Sequence, residues 1–233
     1  WNAKEETMKP TDMEGRDGIS SWEWDIDALV SGLGDSYKIM ECGMKAFPTE
    51  ALTHTHLSCL LNAMINNNLD FTTIKEVKVT CFAQAYDILF DPTKYRPESR
   101  ETADHSLPYC MAVAMIDKKI TTESFSDEKL NDPRILEVID KIKGEPSQEF
   151  EKMFPAKQPS KVVVKTNDGS EFEEYLEYPK GDPREPMTMD DLENKFNSLA
   201  GDKFDFNEKT KLKENIFNCD NMSASEFMEN LNV

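Results

Sequence analysis

The chain has 233 residues, enough for one or two domains with a real core. Its 45 acidic and 27 basic residues leave a net charge of −18, and a field of that sign disfavours nucleic acid and anionic membrane surfaces as partners. No apolar run approaches the ~20 residues that a membrane span needs.

Five cysteines, at 42, 59, 81, 110 and 219, are odd in number and show no Cys-x-x-Cys spacing. They read as buried free thiols in a reducing compartment, and no clustered set suits an iron–sulfur centre. No signal peptide is visible.

In chain order, residues 1–20 are polar and carry Pro10, Gly15 and Gly18, which suits a connector. Trp22, Trp24, Ile26, Leu29, Val30 and Leu33 give a short amphipathic segment. Tyr37 to Met44 predicts a strand leading to Lys45. From Thr49, the helical recurrence of Leu52, His56, Leu60 and Ala63 or Met64 predicts a helix that Asn66-Asn-Asn68 ends. Ile74 to Phe82 partly alternates, as a half-buried strand should. Phe90 to Arg100 reads as a loop with Pro92 and Pro97.

A helix from about 105 to 117 is apolar on most sides. Asp132-Pro133 opens another, with Ile135, Val138, Ile139 and Ile142 on one face. Asn167-Asp168-Gly169, between alternating runs from Lys161 to Leu176, predicts a hairpin. After a Pro- and Gly-rich junction at 179–186, capping patterns at Thr188-x-x-Asp191 and Ser223-x-x-Glu226 predict two or three helices. The expected class is α+β: a small antiparallel sheet with packed helices over 21–180, then C-terminal helices over 181–233.

Few residues carry candidate chemistry. There are three histidines, His54, His56 and His105, and the first two lie at i, i+2. On a helix that spacing points them to different faces, which argues against a zinc pair, and no metal is expected. His105, Ser106 and Tyr109 precede a small-residue apolar helix. On the residues alone this is a helix cap with a packed tyrosine, or a set of proton-handling groups beside a buried helix. A lone lysine such as Lys45 is ordinarily a solvated charge.

The run Arg100-Glu-Thr-Ala-Asp-His-Ser-Leu-Pro-Tyr-Cys-Met-Ala-Val-Ala114 resembles the hallmark of the MmgE/PrpD family. That family holds 2-methylcitrate dehydratase, cis-aconitate decarboxylase and relatives. Glu14-Gly-Arg-Asp-Gly18, Lys45-Ala-Phe-Pro-Thr-Glu50 with His54, Asp132-Pro-Arg-Ile135 and Gly181-Asp-Pro-Arg-Glu-Pro-Met187 resemble further landmarks in the same order.

The resemblance implies that residues 1–20 connect from a missing helical domain, that 21–180 form a lid-like domain, and that 181–233 pack on the helical domain. It implies a cofactor-independent lyase acting on a small tricarboxylate, with 2-methylcitrate dehydration first and cis-aconitate decarboxylation or epimerisation of a related dicarboxylate as alternatives. Lys45 would anchor a carboxylate, His105 and Tyr109 would assist proton transfer or orient substrate, and His54 would support the pocket. Glu50, Ser106 and Arg100 are further substrate-binding candidates, and Glu50 leans towards dehydration because decarboxylase-like members more often carry histidine near there. Arg96 is a weaker anion ligand, and His56 is structural or faces solvent.

The rest of the site would come from an N-terminal helical half or a companion chain, in a homodimer, so that this chain alone is inactive. The expected compartment is the cytoplasm, or the mitochondrial matrix in a eukaryote. The reading from another class is a non-catalytic regulatory or partner-binding subunit.

Overall fold

The computed structural model describes residues 30–201 and 203–231. The connector over 1–20, its Glu14–Gly18 turn and the segment from Trp22 to Leu29 lie outside the described residues. Contacts divide the chain into residues 1–41 and 42–233.

In the first unit the expected strand from Tyr37 is instead a 3-10 turn, Lys38–Glu41, closed by the Met40 N–H on the Tyr37 carbonyl at 2.9 Å. Tyr37, Ile39 and Met40 are all exposed. Among the described residues no strand pairs with the segment, and its Met40 N–H is satisfied locally.

The second unit is α+β. Its sheet has the order β2-β1-β3-β4, with β1 Ile74–Cys81, β2 Ile142–Pro146, β3 Ser160–Thr166 and β4 Glu171–Leu176. Strands β1, β3 and β4 pair antiparallel, as expected. The fourth strand, β2, adds a parallel edge, with Val77 opposite Ile142.

Ile142 was expected on the helical face that begins at Pro133. The helix stops at Val138, a 3-10 turn covers Ile139–Lys141, and Ile142 opens the strand. All four apolar residues of that pattern are buried, so the face was legible and the change of element was not.

Strand β3 alternates strictly, burying Ser160, Val162, Val164 and Thr166. In β1 a bulge between Ile74 and Glu76 shifts the phase, so Ile74, Val77 and Val79 all reach the core. The opposite face carries cross-strand ion pairs, Lys78–Glu145 at 2.7 Å and Lys165–Glu171 at 2.8 Å. Pairs this exposed set register more than stability.

Helix α1, His54–Asn66, lies on β3 and β4. After α2 (Ala83–Leu89) and α3 (Arg100–Asp104) comes α4, Leu107–Asp117, with every residue from Leu107 to Met115 buried. It packs against α1 and forms the centre of the core. Short helices α5 (Asp127–Leu130), α6 (Pro133–Val138) and α7 (Gln148–Met153) complete the layer.

The C-terminal segment forms α8 (Met189–Ala200), α9 (Phe206–Phe217) and α10 (Ala224–Asn230). Thr188 and Asp191 make the expected reciprocal cap. Ser223 accepts from the Glu226 N–H, which is half of the box expected there.

Among the described residues no helix is long and apolar enough to cross a membrane. Cys59, Cys81 and Cys110 are buried, and burial pushes the first two thiols up to about 12. Cys42 and Cys219 are exposed, contrary to the buried reading, because each sits outside the helix–sheet core.

Candidate active site

Lys45 is placed by backbone packing. The Met44 N–H donates to the Gly181 carbonyl at 2.8 Å. Gly181 has φ +95°, and a Cβ there would stand 2.0 Å from the Met44 carbonyl oxygen. Only glycine tolerates both the left-handed backbone and that approach. The Gly181–Met187 landmark therefore acts as a backbone clamp on the segment that carries Lys45.

The turn after Lys45 is tied to its own helix. Lys45 Nζ donates to the Thr49 carbonyl at 2.7 Å. Thr53 Oγ1 donates its single proton to the Glu50 carbonyl, so Thr49 Oγ1 is the donor in the 2.7 Å contact between the two threonines. Glu50 caps the 3-10 turn Ala51–Thr53 by accepting from the Leu52 N–H at 2.7 Å. That turn leads directly into α1 at His54.

His54 is 2% exposed and packs against Phe47, with ring centroids 5.4 Å apart. Burial is the main cause that lowers its pKa to about 4, with the Thr49 carbonyl opposing and the charges of Lys45 and Lys195 adding to the fall. His54 is therefore neutral at pH 7, and its Nε2 has no hydrogen-bond partner. His56 is also buried. Its Nδ1 meets Ser160 Oγ at 2.6 Å, and burial lowers its pKa to about 3. This is the structural side of the two uses expected for His56.

Lys45 borders a cleft of about 760 Å³ between α1 and α8. Phe47, Leu61, Ile65 and Leu199 give it apolar walls. Four lysines line it, Lys45, Lys119, Lys180 and Lys195, against two acids, Glu185 and Asp191. Asp191 pairs with Lys180 at 2.7 Å and is held at about 2, chiefly by that lysine. The cleft is thus locally cationic on a chain whose net charge is −18. Lys195 reaches across from α8, and its Nζ donates to the Lys45 carbonyl at 2.6 Å.

The other candidates are spread more widely. The Glu50 N–H donates to the Asp104 carbonyl at 3.0 Å, so the start of α1 abuts the junction between α3 and α4. His105 is the C-cap of α3, not the first turn of α4. It is exposed, and its Nδ1 meets an Asp104 carboxylate oxygen and, at 3.1 Å, the Glu101 carbonyl. His105 and Tyr109 therefore do not share a helix face, because the chain breaks at Ser106.

Ser106 is buried and caps α4, accepting from the Tyr109 N–H at 3.0 Å and donating to the Lys94 carbonyl at 2.5 Å. Tyr109 is wholly buried, and its hydroxyl donates to the Ser124 carbonyl at 2.8 Å. Burial raises its pKa. Arg100 is exposed at the start of α3. Arg96 pairs with Asp140 at 2.8 Å on the surface.

The structure thus gathers Lys45 and His54, sets Glu50 beside Asp104, and commits Ser106 and Tyr109 to the core. Sequence reasoning did not find Lys195. Its only signal was a lysine inside a capped amphipathic helix, and nothing local to α8 indicates which segment it meets.

Among the described residues no group of three His, Cys, Asp or Glu side chains is placed to hold a metal ion. The chain is 24% identical over 214 residues to cis-aconitate decarboxylase of Aspergillus terreus, covering 88% of this chain and 44% of that protein. It is 30% identical over 104 residues to cis-aconitate decarboxylase of Mus musculus, covering 45% of this chain and 21% of that protein. It therefore spans less than half the length of these curated relatives. The MmgE/PrpD C-terminal domain matches residues 47–220, which is most of the chain. That match covers the helix bearing His54, the whole sheet and Lys195, and by it the chain belongs to the MmgE/PrpD family.

Proposed function

We propose that this chain supplies one wall of the active site of a cofactor-independent lyase acting on a small tricarboxylate. The observation that carries the reading is the cationic cleft beside Lys45, on a strongly acidic chain of this family. A local field of that sign draws in and holds a polyanion that the rest of the surface repels.

Lys45 is the anchor for a substrate carboxylate. Its ammonium has two further protons beyond the one given to the Thr49 carbonyl. When a proton leaves the carbon next to that carboxylate, charge builds on the carboxylate oxygens as an enediolate, and a fixed cation stabilises it. In dehydration the electron pair then forms the alkene while the carbon–oxygen bond breaks and the hydroxyl takes up a proton and departs as water. In decarboxylation of cis-aconitate the bond to one carboxyl carbon breaks, carbon dioxide leaves, and a proton is taken up to give itaconate. Both need the carboxylates fixed before bond cleavage.

Two substrates fit this chemistry. The similarity to cis-aconitate decarboxylases supports cis-aconitate. Glu50 supports 2-methylcitrate, on the sequence argument above. Neutral His54 lines the interior behind Lys45 and is assigned to support it. Exposed His105 is available to a facing surface.

That facing surface is assigned to an N-terminal helical half or a companion chain, with 181–233 packing on it. Phe206 at 81% exposure and Phe217 at 68% on α9 support such a partner. The same exposure is the ground for the alternative, a partner-binding subunit without catalysis.

Absorbance near 240 nm separates these readings, a wavelength chosen on the order of where such conjugated acids absorb, following the elimination chemistry. The assembly of this chain with its helical half should raise absorbance with 2-methylcitrate, or lower it with cis-aconitate while releasing carbon dioxide. An assembly inert to both sinks the lyase reading.

A further inference from the structure

Lys195 stands 150 positions from Lys45 in sequence, yet its ammonium lies on the Lys45 carbonyl at 2.6 Å. One proton of that ammonium is spent there, which leaves two. Its charge also acts on His54, as that of Lys45 does. Lys180, by contrast, is neutralised by Asp191.

The cleft face of α1 adds polar capacity. His54 and Ser58 are one turn apart, so they share a side of the helix. Ser58 lines the cleft and its Oγ lacks a partner; His54 is not a lining residue, and its buried Nε2 lacks a partner too. Buried polar atoms without partners destabilise a fold unless something else rewards them. A hydroxyl-bearing ligand would do so, since Ser58 needs only rotation about one bond to turn its oxygen to the cleft.

We propose that Lys195 is a substrate-binding residue that forms a second carboxylate subsite beside Lys45. This rests on the reading that the cleft takes a polycarboxylate. It makes the site a two-cation clamp that selects ligands with at least two carboxylates. It also assigns to the C-terminal helix α8 a direct part in recognition, beside its part in packing.

Citrate binding to this chain, followed by calorimetry, tests the subsite without turnover. Lys195→Met should weaken citrate about tenfold or more, as loss of a charge-assisted contact does. Lys195→Arg should hold citrate within about threefold, since an arginine still donates to the Lys45 carbonyl and to a carboxylate. Acetate, with one carboxylate, should bind wild type far more weakly than citrate and should barely sense Lys195→Met. Circular dichroism and the thermal midpoint establish that the variants fold, and Lys195→Gln takes the place of Lys195→Met if the latter does not.

Citrate binding unchanged in Lys195→Met overturns the subsite. So does wild type binding citrate no better than acetate, or not binding it at all. If Lys45→Met loses citrate while Lys195→Met keeps it, the second subsite falls and the cleft reading stands. Turnover by the complete assembly is an independent measurement and decides the lyase reading by itself.

Discussion

Lys45 donates its ammonium to the Thr49 carbonyl at 2.7 Å, and its charge helps to lower the pKa of His54 while that same carbonyl opposes the fall. His54 Nε2 is buried without a hydrogen-bond partner. Lys45→Met should therefore raise the His54 pKa above its value of about 4, because one of the charges that depress it is gone. Citrate affinity should fall about tenfold or more while the fold is retained. Calorimetry and the imidazole carbon–proton resonances read the two effects.

Stability should fall on mild acidification. His54 and His56 are held near 4 and 3 in the fold, both by burial, whereas an unfolded histidine titrates near ~6.5. As pH falls below the unfolded value, the unfolded chain takes up protons that the native one refuses. The stability present above that value is thus lost as pH falls towards the folded values. From pH ~7.5 to ~5.5 each histidine should remove on the order of 1 kcal/mol. Urea denaturation at the two pH values measures this, and His56→Gln should show a shallower slope than wild type.

Gly181→Ala should be costly. The added Cβ meets the Met44 carbonyl at 2.0 Å, and the backbone at φ +95° is strained for alanine. A loss of about 2 kcal/mol or more is expected, from overpacking and left-handed strain together. Citrate binding should fall with it, since Met44 is the residue before Lys45. Thermal denaturation and calorimetry on one preparation would show both. A stable variant that binds citrate normally would mean that Gly181 does not hold the turn.

Tyr109→Phe separates packing from proton chemistry. The hydroxyl donates to the Ser124 carbonyl inside the core, so its removal should cost about 1–2 kcal/mol by orphaning a buried acceptor. Turnover of the complete assembly should change less than about threefold, well short of what loss of a general acid or base costs. A variant as stable as wild type but without turnover would place Tyr109 among the reacting groups.

The sequence was most readable where signals are local. The hairpin turn at Asn167–Gly169, the cap at Thr188 and the apolar run after Ser106 all rest on residues within one turn of each other, and each stands as an element in the fold. Strand β2 was not readable, because Lys143 and Gly144 interrupt its alternation and its pairing with Val77 is non-local. The strand expected at Tyr37 failed for the converse reason. Its residues suit a strand, but among the described residues none lies alongside.

The site divides in the same way. Lys45 and His54 were found because they stand nine positions apart in a family landmark. Lys195 was not, because its partner lies 150 positions away. Tyr109 and Ser106 drew attention as polar groups on a buried helix, and their hydrogen bonds within the core are what allows them to be there.

That long separation gives the site a place in time. A chain emerging from the ribosome has all four strands of the described sheet once Leu176 is out, and that sheet with α1 can close. The turn that bears Lys45 still lacks Gly181 and Lys195 at that stage, so its backbone has neither clamp. Competence for the proposed binding therefore arrives after the core has formed, and a nascent chain stalled in between carries a folded sheet with an open-ended cleft.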